Sequence, residues 1–128
     1  MLYRIRAADE WFKYFNAVEH KLPRRSSKDG PIKIGVLDTG VDLTNSWMAS
    51  KRGRIRCWPE KTDCHDNDGH GTHVAHLLLR LTKNTQLHVC KIAESTYIKH
   101  ADIQKTADVS MKHATPFVLY LAVANRPF

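Results

Sequence analysis

No stretch of the 128 residues approaches the run of roughly 20 apolar side chains that a membrane-crossing helix requires. Residues 1–10 (MLYRIRAADE) alternate apolar and charged side chains and contain no apolar h-region, so no secretory signal peptide is read there. That absence favours an intracellular setting, or a chain that is an internal piece of something larger. Cysteine is scarce: Cys57, Cys64 and Cys90 are an odd number with no C-x-x-C pair, too few for a disulfide framework. They are read as free thiols, Cys90 in a core strand and the other two in a loop, with a Cys57–Cys64 pairing as the alternative. Internal repeats and low-complexity segments are absent as well.

What is present is ordinary for a globular chain of one hydrophobic core: 42% hydrophobic and 26% charged residues. The balance is basic, with 20 Lys and Arg against 13 Asp and Glu, a net charge of +7. Two clusters supply much of it, residues 21–28 (KLPRRSSK) and 51–56 (KRGRIR). Neither is interleaved with aromatics, so both read as solvated loops and a nucleic-acid partner is not expected.

Along the chain, residues 8–20 read as an amphipathic helix. Trp11, Phe15, Val18 and Leu22 recur at helical spacing and are expected to pack on a neighbouring domain or the main core. Pro23 stops it, and residues 24–31 form a basic linker. This divides the chain into residues 1–30, helix and linker, and residues 31–128, the main body. Residues 32–37 (IKIGVL) fit a buried parallel strand. Residues 41–67 read as an irregular excursion. A helix is expected over residues 70–81, buried through Val74, Leu77, Leu78 and Leu81, with Asp66, Asn67 and Asp68 as candidate caps. Residues 86–93 (QLHVCKIA) form a second strand, 101–114 a weaker helix, and 117–123 (FVLYLAV) a third strand. Strands alternating with helices predict the α/β class: a parallel sheet with flanking helices and right-handed crossovers.

Two motifs carry chemistry. In residues 34–42 (IGVLDTGVD), Asp38 directly follows the first strand, at the carboxyl edge where open α/β folds place their sites. In residues 68–75 (DGHGTHVA), His70 opens a helix between two glycines that permit close approach. A carboxylate beside this imidazole would hold one tautomer and stabilise the imidazolium formed when it takes a proton.

Together these motifs resemble those of the subtilisin-like (S8) serine peptidases. D-T-G-V-D is similar to the family's aspartate motif and H-G-T-H-V-A to its histidine motif. Asp38 precedes His70 by 32 residues, the separation also found in subtilisin. The resemblance implies a subtilisin-like sheet, incomplete on its C-terminal side. It also implies serine endopeptidase chemistry on a polypeptide substrate, with His70 as general base, Asp38 as its orienting acid and His73 as a structural residue. His76 stands where the family has glycine, which bears on close helix packing.

The family's nucleophile, in a G-T-S-M-A-type motif, lies well over a hundred residues past the histidine, and only 58 follow His70. Residues 109–116 (VSMKHATP) echo that motif, making Ser110 the weaker catalytic candidate; it reads better as a helix-surface serine. The 128 residues alone are therefore expected to be inactive, and the alternative to a peptidase is a catalytically inactive remnant serving as a binding module. Cys57, Cys64, His65, His70, His73 and His76 are dense enough to suggest zinc, but their spacing does not fit a zinc site. No metal and no cofactor are expected.

Overall fold

The computed structural model describes residues 2–23, 26–95 and 118–121. The chain divides into two compact units, Met1–Gly30 and Pro31–Phe128.

In the first unit, helix α1 (Leu2–Glu19) begins six residues earlier than the spacing predicts. No proline or glycine interrupts residues 2–10, so nothing in the backbone stops the helix from extending. The Trp11 ring stacks on Phe15, centroids 5.4 Å apart, and meets Phe12 edge-on at 5.2 Å. Trp11, Val18 and Leu22 are each more than half exposed. Among the described residues of this unit the other element is a one-turn 3-10 segment, Ser27–Asp29.

The second unit is built on four strands, β1 (Ile32–Asp38), β2 (Ile55–Cys57), β3 (Thr85–Lys91) and β4 (Val118–Leu121). Their order is β2-β3-β1-β4 and every pairing is parallel. Between them lie the short helix α2 (Ser46–Ser50), a 3-10 turn at Arg52–Arg54, and helix α3 (His70–Leu81). This is the expected α/β arrangement. The excursion expected over residues 41–67 contains α2 and β2, so it is not irregular throughout. The expected helix at 101–114 lies outside the described residues.

Side chains alternate across the strands, as the pleat requires. On one face Ile34, Val36, Leu87 and Val89 join Val41, Met48, Ile55, Val74, Ala75 and Leu79 in the principal core. On the other face Leu37, Cys90, Ile92 and Ala93 form a smaller cluster flanked by Trp58. The buried stripe of α3 is Gly71, Val74, Ala75 and Leu79, whereas Leu77 and Leu81 are only half-buried. Counting large apolar residues alone rotates the expected stripe. The small Gly71 and Ala75 are what let the helix approach the sheet.

The basic cluster at 51–56 is not wholly solvated. Arg54 donates to the carbonyls of Leu79 (3.4 Å), Thr82 (2.8 Å) and Thr85 (3.1 Å) and to the Thr85 hydroxyl (2.7 Å). It thereby satisfies carbonyls that the C-terminal turn of α3 leaves open. The free-thiol expectation is overturned for two cysteines. Cys57, at the end of β2, is disulfide-bonded to the buried Cys64, and Cys90 takes part in no disulfide. The Cys57–Cys64 pairing given as the alternative is the one found.

Candidate active site

β1 and α3 each deliver one ionisable residue to the same point. Asp38 ends β1, in register with Lys91 of the neighbouring strand. Its carbonyl accepts from Ile92 N–H at 2.9 Å, which prolongs the ladder beyond the strand. Its carboxylate is buried and accepts from Thr39 N–H at 2.7 Å. The chain then leaves the sheet at Gly40, where φ is +115° and a side chain would collide with the backbone of residues 64–66.

His70 is the first residue of α3. Its Nδ1 lies 2.8 Å from Asp38 Oδ1 and 3.0 Å from Oδ2. An ionised carboxylate only accepts, so this contact suits a ring that carries its hydrogen on Nδ1, which in a neutral imidazole leaves the lone pair on Nε2. The imidazole is 29% exposed against 1% for the carboxylate, a buried acid behind an accessible ring. Among the described residues nothing hydrogen-bonds Nε2. The two motifs that the sequence singles out are thus brought together through Asp38 and His70. Ser110 lies outside the described residues, and His73 is exposed on the outer side of α3.

Each of the first three amides of α3, which no helical carbonyl can satisfy, has its own side-chain acceptor. His70 N–H donates to Asp68 Oδ2 at 3.3 Å, Gly71 N–H to Thr39 Oγ1 at 2.9 Å, and Thr72 N–H to Asp66 Oδ2 at 2.9 Å. Of the three candidate caps, Asp66 and Asp68 serve the helix. Asn67 instead donates to Glu94 at 3.4 Å.

Asp66 was visible in the sequence only as a cap, yet it collects five hydrogen bonds. Oδ1 accepts from Thr39 Oγ1 (2.8 Å), Asp68 N–H (3.0 Å) and Gly69 N–H (2.9 Å), and Oδ2 from Thr72 N–H and Thr72 Oγ1 (2.6 Å). Burial pushes its pKa up, but the hydrogen bonds, led by that of the Thr72 hydroxyl, outweigh it and hold the carboxyl well below its usual range. Thr72 Oγ1 also accepts from Asp42 N–H at 2.9 Å. The signal that could have revealed this role is the pairing of D-T-G with D-x-x-G-H-G-T, with one threonine next to Asp38, another two residues past His70 and an acid four residues before His70.

The loop holding Asp66 is fixed on both sides. Val41 N–H donates to Cys64 O (2.8 Å), Asp66 N–H to Val41 O (3.3 Å), and Lys91 Nζ to His65 O (2.7 Å). Gly71 faces Gly40 so closely that a Cβ on it would overlap the Gly40 carbonyl. His76 is accommodated edge-on against the Trp47 ring, centroids 4.2 Å apart. Burial, aided by Arg80 and His73, lowers its pKa. Among the described residues, no group of three His, Cys, Asp or Glu side chains is arranged to hold a metal ion.

No curated protein and no solved structure matches the chain significantly. The model of the subtilase family, peptidase S8, matches residues 29–115. That span takes in β1, α3, β3 and both motifs, and this chain belongs to the subtilase family.

Proposed function

We propose that residues 31–128 carry the base and the orienting acid of a serine endopeptidase acting on polypeptides, with residues 1–30 an appended helix and basic linker. His70 is the general base through Nε2, and Asp38 holds its tautomer and stabilises the imidazolium. One observation carries the reading: the contact of His70 Nδ1 with both oxygens of a buried carboxylate, 2.8 and 3.0 Å away. In the reaction a serine would attack the scissile carbonyl while Nε2 takes its proton. Ser110 is not assigned that role. Its surrounding sequence lacks the glycine and threonine before the serine, and Lys112 and His113 break the spacing of the motif.

Two measurements test this. Nitrogen-15 NMR of the imidazoles at neutral pH is expected to find His70 protonated on Nδ1; a proton on Nε2 would remove the base. A fluorophosphonate probe is expected to leave the 128-residue chain unlabelled, and labelling at Ser110 would overturn the exclusion of that residue. A chain with the expected tautomer but no turnover also suits a catalytically inactive remnant that binds without cutting. The family-wide peptide-directed chemistry and the intact Asp38–His70 contact favour the peptidase reading.

A further inference from the structure

We infer that Asp66 is a positioning residue for the Asp38–His70 pair, acting as the ionised hub that sets the direction of the two threonine-borne hydrogen bonds between the two motifs. The inference rests on the reading of His70 as a base and adds the element that fixes where that base stands.

Asp38 and His70 belong to separate elements, and their own contact is only one of the links between them. Thr39 Oγ1 is 2.8 Å from Asp66 Oδ1 and 2.9 Å from Gly71 N. Thr72 Oγ1 is 2.6 Å from Asp66 Oδ2 and 2.9 Å from Asp42 N. A hydroxyl has one hydrogen to give, whereas an amide can only donate. Each threonine must therefore accept from its amide and spend its hydrogen on Asp66. Only an acceptor-only group can receive both hydroxyls together with the amides of Asp68, Gly69 and Thr72, and an ionised carboxylate is such a group. One threonine adjoins Asp38 and the other lies two residues beyond His70. Asp66 thus clamps the end of β1 to the first turn of α3 without touching the imidazole.

An asparagine at this position would turn an NH2 group toward one set of donors and leave at least two without an acceptor. The shape would be kept and the direction of the network lost. Thr39→Val tests the same link from its other end, because it removes the hydroxyl and keeps the branched shape, while Thr39→Ser restores the hydroxyl.

The test is proton NMR of the His70 Nδ1 hydrogen in the full chain, with cross-strand signals between β1 and β3 as the measure of folding. In folded Asp66→Asn and folded Thr39→Val, exchange of that hydrogen with solvent is expected to be roughly tenfold faster or more, the consequence of losing about one hydrogen bond of restraint. Thr39→Ser should stay close to the parent protein. If Asp66→Asn does not fold, Thr39→Val against Thr39→Ser decides alone. Unchanged exchange in a folded Asp66→Asn or Thr39→Val protein would overturn the inference. A purely structural role would lower the melting temperature and leave the His70 signal as it was. Failure of the underlying reading looks different: the parent protein itself would carry its imidazole hydrogen on Nε2.

Discussion

Gly40 and Gly71 meet backbone to backbone, and the two chain segments that bear Asp38 and His70 can approach only because neither has a side chain there. Gly71→Ala drives a methyl group into a carbonyl rather than into a side chain that could swing aside. It is expected to cost about 3 kcal/mol, at the upper end for overpacking, read as a fall in melting temperature. Gly53→Ala, where an added methyl meets nothing within 4 Å, is expected to stay within about 0.5 kcal/mol of the parent. The difference between the two separates a positional need for glycine from a general loss of it. At this scale the sequence is informative about the dyad and silent about its support. Asp38 and His70 are marked by a strand end, a helix start and their glycines. The work of Asp66 depends on hydroxyl directions and on a loop path that local pattern does not encode.

Among the elements, α3 depends on partners at both ends. Its N-terminal amides are served by Asp68, Thr39 and Asp66, and its C-terminal carbonyls by Arg54. Arg54→Ala leaves those carbonyls unserved and is expected to cost about 1.5–3 kcal/mol, the range for hydrogen bonds from a charged donor. Amide exchange should quicken over the last turn of α3 and the start of β3 while the His70 end is less affected. Arg54→Lys should not restore it, since one ammonium cannot span acceptors that a planar guanidinium reaches together. The elements that were legible share a cause. β1 and β4 are mostly apolar runs of strand length, β3 alternates apolar with polar residues, and α3 repeats its apolar residues at helical spacing. β2 was missed because Ile55-Arg56-Cys57 is only three residues long with one buried apolar side chain, too short for any period to show. Helix α2 was missed because its start is signalled by one residue, Asn45, whose side chain caps Trp47 and Met48.

For the molecule as a whole, acid is expected to act in two stages. His76 and His88 are both held below the ordinary imidazole value of 6.5, chiefly by burial, with nearby cations adding to it: Arg80 and His73 for the first, Lys33 and Arg56 for the second. Because their folded pKa values are depressed, the unfolded chain takes up protons first. The stability they contribute is complete above pH 6.5 and is lost as pH falls through the folded values. Asp66 is depressed below its ordinary 3.8, so its contribution is whole above that pH and is lost only on further acidification. Thermal unfolding followed from pH 8 to about pH 1 should show both declines, and His76→Phe should flatten the first while sparing the second. A different variable enters through Cys57 and Cys64, joined across a sequence separation of seven. A ring that small withdraws about 2–3 kcal/mol of chain entropy from the unfolded state. It also tethers β2 to the loop that leads into Asp66. The amino-acid sequence therefore does not define a single stability. Where glutathione keeps thiols reduced the ring opens, and where conditions are oxidising it stays shut. The ambient thiol poise becomes a parameter of the fold, and it is set by where the chain resides.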